Sequence, residues 1–254
     1  MPFKGMTLLE ISALLAEREE LSVDEAWFLK NDSRRGAARL LERFQKKAEA
    51  HEAEEMRLRK MFFQEEQLRH QGYKLIAGID EAGRGPLAGP VFAAAVILEP
   101  ESLIEGLNDS KQLSACMREK LFEKIIVDAK AYAIGSASRE EIDEMNIHAA
   151  SMLAMLRAVN ALACKPDYLI VDGFPIRRCP YRQKALKSGD RLSLSIAAAS
   201  IMAKVARDRV MLDLHRQYPV YGFDRNMGYG TEEHRFALKR YGPCPAHRRS
   251  FRLT

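Results

Sequence analysis

Cysteine is sparse in this chain and never paired at short range. The four residues, Cys116, Cys164, Cys179 and Cys244, have neither the close spacing of a zinc site nor the density of a secreted disulfide scaffold, so they are read as buried or idle thiols in a reducing compartment. Long apolar runs are missing too. No stretch approaches the ~18 residues of a membrane helix, and the N-terminal MPFKGMTLLEISALLAEREE has no long apolar core followed by a small-residue cleavage site. A soluble, cytoplasmic protein without membrane association is expected. Internal repeats, low-complexity tracts and the Gly-x-x-x-x-Gly-Lys-Ser/Thr phosphate loop are all absent. Between Thr7 and His70 there is no proline and a single glycine, Gly36, which is the composition of helices.

What is present fits a well-packed globular chain: 254 residues, 47% hydrophobic and 30% charged, enough to bury a substantial core without disulfides. The net charge of +5 hides an uneven distribution. Residues 1–72 carry 13 Lys and Arg against 14 Asp and Glu, residues 73–176 carry 10 against 15, and residues 177–254 carry 17 against 6. A basic segment beside an acidic one suits an enzyme that holds a polyanion on one surface and divalent metal on another, although a basic face can also be merely solvated.

The helical stretch up to residue 72 is broken by a capping pair at Ser22 and Glu25 and by Asn31-Asp32-Ser33. Its last part, from Gly36 to His70, is polar on most faces, so a small all-helical extension ending in a long connector is expected over 1–72. From Tyr73 the texture changes to short apolar runs, KLIAGID and PVFAAAVIL, punctuated by Gly and Pro. Helical spacing over Ser114–Ala129, a strand at AYAIGSAS, one helix over Ser138–Ala163, a strand at YLIVDG, a long helix over Leu192–Tyr218 and another from Thr231 complete the pattern. Strands alternating with helices after an adjacent strand pair predict an α/β domain with a mixed sheet over 73–254.

Candidate chemistry concentrates in GIDEAGRGPLAGPV, Gly78–Val91, where an apolar strand runs into two acids, Asp80 and Glu81, and then a glycine-rich turn. Adjacent strand residues face opposite sides, so both acids reach one site only if the chain bends or twists where the strand ends, which Gly83 and Gly85 allow. The plain alternative is a solvated strand end. Arg84 between the glycines adds a cation able to meet phosphate in a fork. Asp172 closes a second strand and Asp190 follows in KSGD. If the two strands are neighbours, four carboxylates can hold hard divalent cations, Mg²⁺ or Mn²⁺.

GIDEAGRGPLAGPV, NDSKQLS, YLIVDG, SGD, SIAAASIMAKVARD and MGYGTEEH, in this order and spacing, resemble type 2 ribonuclease H, the ribonuclease HII family, from Tyr73 to the C-terminus. The helical extension is similar to that of longer bacterial members. The resemblance implies a ribonuclease H-like mixed sheet flanked by helices, with Asp80, Glu81, Asp172 and Asp190 as the catalytic and metal-binding set, two cations acting together, and Gly83, Arg84, Gly85 and Tyr229 reading a ribonucleotide. Chemistry agrees with those roles: a backbone turn can hydrogen-bond a 2′-hydroxyl, and an aromatic ring can pack on the neighbouring deoxyribose. Ser110 and Lys111 match the family's Asp-Ser-Lys loop and are candidate phosphate contacts. Lys204 and Arg207 are expected either to pair with Asp208 or to brace the acids, and His234 and His247 to be structural.

Relatives with His-Lys-Gly-Tyr before the tyrosine differ from Arg225–Tyr229 here, which removes any His or Lys contact at that point but not Tyr229. The sister type, ribonuclease HIII, has a Gly-Thr-Gly turn and a strand-rich N-terminal domain; this chain sides with type 2 on both counts. The expected activity is hydrolysis of the RNA strand of RNA–DNA hybrids and incision 5′ of ribonucleotides embedded in duplex DNA, leaving 5′-phosphate and 3′-hydroxyl ends, by a monomer. The alternative is a non-catalytic hybrid-binding protein, and the extension is a candidate substrate clamp or docking module.

Overall fold

The computed structural model describes residues 2–18, 20–100 and 102–253. Contacts divide the chain into two compact units, one ending at Arg57 and one running from Leu58. The first contains α1 (Leu8–Ala16), α2 (Val23–Asn31) and most of α3 (Ala37–Met61). Thr7 and Ser22 open α1 and α2 with complete capping boxes closed by Glu10 and Glu25. Its core is small: Phe3, Ile11, Leu15, Leu29, Ala37, Leu41 and Phe44.

The second unit continues with α4 (Phe63–His70), β1 (Ile76–Ala82), β2 (Val91–Leu98), α5 (Ala115–Asp128), β3 (Ala129–Ala137), α6 (Arg139–Met145), α7 (Ile147–Asn160), β4 (Tyr168–Asp172), β5 (Arg182–Leu186), α8 (Leu194–Gln217), α9 (Phe223–Asn226) and α10 (Glu232–Tyr241). The five strands lie in the order β3-β2-β1-β4-β5. β2 runs antiparallel to both β1 and β3, whereas β4 is parallel to β1 and β5 to β4. The mixed α/β architecture is therefore as the sequence predicts. Two details differ. The expected Ser138–Ala163 helix breaks at Asn146, whose φ is +73° and whose Oδ1 accepts from the N–H groups of His148 and Ala149, so it caps a second helix. β5 is an edge strand, RQKAL, with no fully buried residue.

Both faces of the sheet are covered, which is why β1, β2 and β4 are nearly all apolar. α5 and α8 pack on one face with Ala94, Val96 and Leu98, and α7 on the other with Ala93, Ala95, Ile97 and Val171. Close approach sets the first interface. A Cβ at Gly78 would fall 2.2 Å from the Ser195 carbonyl carbon, so only glycine lets β1 lie against the start of α8, whose facing residues Ala197–Ala199 and Ala203 are small and fully buried. Buried Glu65 on α4 fastens that helix start: its Oε1 accepts from Ser193 Oγ at 2.6 Å and from the Ser195 N–H at 3.0 Å.

The four cysteines are free thiols: Cys116 is exposed, and the other three are half-buried. Among the described residues no helix is long and apolar enough to cross a membrane.

Candidate active site

β1 and β4 are adjacent and parallel, with Ile79 paired to Val171, so the next residues, Asp80 and Asp172, come side by side where β4 ends. Glu81 follows on β1, which keeps regular pairing with β2 through Ala82. The bend expected at the acids therefore falls after them, at Gly83, whose φ is +98°. In consequence Asp80 and Glu81 do occupy opposite sides of the strand. Asp80 accepts a hydrogen bond from Ser200 on α8, while Glu81 also borders His148 and Ser151 on α7. Both nevertheless line one cleft together with Asp172.

That cleft is lined by Asp80, Glu81, Gly83, Arg84, Gly85, Ser110, Lys111, Asp172, Ser200, Lys204, Arg207 and Tyr229. It thus gathers every candidate residue except Asp190, which sits in a single 3-10 turn, Gly189–Arg191, beside it. That turn is tied to the cleft, since the Gly189 N–H donates to Asp172 Oδ1 at 2.6 Å and Arg191 Nη2 to Asp109 Oδ2 at 3.0 Å. Asp109 also accepts from the Lys111 N–H at 3.0 Å, which shapes the Asp-Ser-Lys loop.

Carboxylates crowd each other here. Burial pushes the Asp80 carboxyl well above the usual range, and the charges of Glu81 and Asp172 add to it. Glu81 is raised by burial despite Arg84, which pairs with its Oε1 at 3.2 Å. Burial, then Asp109 and Asp172, raise Asp190. Glu81 Oε2 is buried without a hydrogen-bond partner. Among the described residues no three His, Cys, Asp or Glu side chains are drawn together closely enough to hold an ion as they stand. The donor set nevertheless fits Mg²⁺ or Mn²⁺: it is all oxygen, and it carries an unsatisfied buried oxygen and an excess of negative charge.

The second-tier candidates divide. Lys204 Nζ pairs with Asp208 Oδ1 at 2.7 Å. Ser110 is buried, sharing a 2.9 Å hydrogen bond with Ser200, a residue the sequence reading did not single out. Lys111 is exposed, and its charge acts on Glu81, Asp109 and Asp190. His234 and His247 are buried with their Nε2 atoms 2.9 Å apart, and His234 Nδ1 lies 2.8 Å from the Tyr229 carbonyl oxygen. Tyr229 itself is 45% exposed. A Cβ on Gly85 would lie 3.6 Å from its ring, so turn and tyrosine are neighbours.

Two buried arginines went unread or half-read. Arg207 donates to the carbonyl oxygens of Pro90, Met227 and Ala88 at 3.2, 2.9 and 3.1 Å. Arg248 donates to those of Gly89, Arg84, Gly83 and Pro90 at 2.9, 2.9, 2.6 and 3.3 Å. Burial and the neighbouring Arg207 charge bring Arg248 down to about 9. No sequence pattern announces Arg248, because one more arginine in a basic tail looks like surface.

A mixed sheet of this order, with Asp80 and Glu81 near the end of β1 and Asp172 closing the adjacent β4, is the sheet of the ribonuclease H class, and solved members share the fold. The ribonuclease H2 of Pyrococcus horikoshii matches with a TM-score of 0.59 over 71% of this chain and 95% of its own, at 31% identity. The ribonuclease HII of Archaeoglobus fulgidus, solved in complex with PCNA, matches with a TM-score of 0.61 over 71% and 96%, at 27% identity. Residues 77–254 match the family model of ribonuclease HII and residues 7–69 that of the ribonuclease HII N-terminal domain. The chain belongs to the ribonuclease HII family. Over 98% of its length it is 50% identical to the ribonuclease HII of Pelotomaculum thermopropionicum, of which it covers 94%.

Proposed function

We propose that the acid-lined cleft is where this chain hydrolyses the RNA strand of RNA–DNA hybrids and incises duplex DNA on the 5′ side of an embedded ribonucleotide, leaving 5′-phosphate and 3′-hydroxyl ends. In this reading Asp80, Glu81, Asp172 and Asp190 hold divalent cations, Mg²⁺ or Mn²⁺, two during the reaction. The observation that carries it is the buried, unpartnered Glu81 Oε2 beside Asp80, a negative excess that a cation relieves. When bound, such cations supply charge neutralisation at the scissile phosphate and a water acidic enough to attack at neutral pH.

The remaining work falls to the chain. Arg84 and Lys111 are cations at the cleft edge suited to the flanking phosphates. The Gly83–Gly85 turn offers backbone groups to the 2′-hydroxyl, and the exposed Tyr229 ring offers a face to the next deoxyribose. Ser200 donates to Asp80 and shares a hydrogen bond with Ser110, so Ser110 supports the acid through Ser200 while lining the same cleft as a candidate phosphate contact. In this reading the protein acts as a monomer in the cytoplasm, and the helical unit serves as a substrate clamp or docking module.

The test is cleavage of end-labelled duplex DNA containing one ribonucleotide, with Mg²⁺, Mn²⁺ or chelator. A metal-dependent nick immediately 5′ of the ribonucleotide is expected. Cutting confined to longer RNA tracts would remove the junction-reading turn, and no cutting with either metal would remove the role given to the acids.

A further inference from the structure

Arg248 is fully buried, yet among the described residues no carboxylate pairs with it. Burying an unpaired guanidinium is costly unless its donors are satisfied, and here they are spent on four carbonyl oxygens, those of Gly83, Arg84, Gly89 and Pro90. Phe251 supplies an aromatic face, with the guanidinium carbon 5.0 Å from the ring centre. The segment is anchored from both directions. The Arg248 N–H donates to the Leu87 carbonyl oxygen at 2.9 Å, and Asp143 on α6 accepts from the backbone N–H groups of Arg249 and Ser250 at 3.0 and 2.8 Å.

The consequence follows from the geometry of a peptide. No peptide bond among the described residues is cis, and in a trans peptide the C=O and the next residue's N–H point in opposite directions. By drawing the carbonyls of Gly83 and Arg84 inward, Arg248 turns the N–H groups of Arg84 and Gly85 the other way. Both residues line the cleft, and among the described residues neither N–H has an acceptor within the protein. The turn is therefore a pair of adjacent, unsatisfied donors held in a fixed orientation by a side chain more than 160 residues away in sequence.

We infer that Arg248 is a positioning residue for ribose discrimination: it sets the Arg84 and Gly85 N–H pair that meets the 2′-hydroxyl, without touching substrate itself. The inference rests on the proposed reading of the turn as the ribose reader. It explains why an arginine is needed where any buried cation would fill the space. Lysine has three donors radiating from one atom and cannot span four carbonyls, whereas the planar guanidinium has five donors in a fixed fork.

The experiment measures binding of the full chain, in chelator so that nothing is cut, to a duplex with one ribonucleotide and to the same duplex in all-deoxy form. The wild type is expected to prefer the ribonucleotide duplex. Arg248→Lys is expected to lose about tenfold of that preference, roughly 1.4 kcal/mol, while its affinity for the all-deoxy duplex stays within about twofold. Equal weakening on both duplexes would mean that Arg248 is merely structural and would overturn the inference. If wild type shows no preference, the reading of the turn fails and takes the inference with it; if wild type discriminates and a folded Arg248→Lys does so equally, only the inference fails. Should that variant not fold, Arg248→Gln, which keeps two donors in place of five, is measured on the same two duplexes: a selective loss of the ribonucleotide preference is expected, and an unchanged preference or equal weakening on both overturns the inference.

Discussion

Asp80 is under opposing demands from stability and from chemistry. Its folded-state pKa lies well above the ordinary value, through burial and the charges of Glu81 and Asp172. It therefore contributes stability fully only below about pH 4, and that contribution is lost as pH rises through the folded value. Asp80→Asn removes the buried charge and is expected to raise the melting temperature in chelator at pH 8 by a few degrees, about 1–2 kcal/mol. The gain should shrink toward pH 4, and cleavage should fall more than about a hundredfold, ~3 kcal/mol of barrier. Calorimetry and the labelled-duplex assay check the two halves separately, and a variant that cuts at the wild-type rate would remove Asp80 from the chemistry. The histidine pair works in the other direction of pH. The Cys244 N–H donates to His247 Nδ1 at 3.0 Å, so the neutral His247 carries its proton on Nε2 and gives it to His234, which can then donate from Nδ1 to the Tyr229 carbonyl oxygen. Burial and the His234 neighbour lower His247 to about 4. Below its unfolded value near 6.5 the unfolded chain takes up a proton that the fold refuses, so stability falls from pH ~6.5 down to ~4, by about 2 kcal/mol at pH 5. Urea unfolding between pH 7.5 and 5 should show a shallower loss in His247→Gln than in wild type; equal slopes would mean the imidazole is not held neutral. At this scale the acids and the glycine turn stood out as candidates in the sequence, as two carboxylates ending an apolar strand before a Gly-rich bend, whereas Tyr229 stood out only through the resemblance carried by MGYGTEEH. Arg248 and Ser200 did not stand out, since their roles exist only in contacts with distant backbone and side chains.

The pairing of β1 with α8 carries the acids into position, and its closeness depends on residues that say little individually. Gly78 reads as one more small residue in an apolar strand, but a side chain there would collide with the backbone at Ser195. Glu65 reads as one charge in a polar helix, yet it is buried and holds Ser193 and Ser195 at the start of α8. Its carboxyl is raised by burial, outweighing those hydrogen bonds, and its Oε2 has no partner. A neutral isostere keeps the Oε1 acceptor, so Glu65→Gln should cost no more than about 1 kcal/mol, whereas Glu65→Ala strands buried donors and should cost about 2–4 kcal/mol. Denaturant midpoints of the two variants check this; equal losses would mean that shape alone, not acceptance, holds the helix start. The strands facing two helical layers were legible from their unbroken apolar runs, and α8 as the long helix expected over Leu192–Tyr218. β5 was not, because its RQKAL sequence has the mixed polarity of an edge strand. Nor was the break at Asn146, because Met145-Asn146-Ile147 holds neither Gly nor Pro and the interruption comes from the asparagine side chain capping α7.

At the scale of the whole molecule, composition reports a change of texture at Tyr73, where helix-forming residues give way to strands, but packing divides the chain earlier. Leu58, Met61 and Phe62 are buried in the same core as α5 and α8, and Leu68 in the one with Ile76, Ile170 and Ile196. The helical residues from Leu58 to His70 therefore belong energetically to the second unit even though their sequence resembles the first. Two truncations separate these readings. A chain starting at Leu58 keeps the four buried side chains and Glu65, and is expected to fold and to retain metal-dependent cleavage at a single ribonucleotide. One starting at Tyr73 loses all five. At about 1.5–3 kcal/mol for each large buried apolar side chain, plus the helix-start contacts of Glu65, that loss is comparable to the whole stability of an ordinary domain, about 5–15 kcal/mol, so this shorter chain is expected to be unfolded. The folded truncation then tests the helical unit: if that unit clamps substrate, its removal weakens duplex binding and flattens the salt dependence, since fewer phosphates are neutralised. Unchanged affinity and unchanged salt slope would leave the unit as a docking module, and a well-folded Tyr73 truncation would show that α4 adds little to the catalytic core.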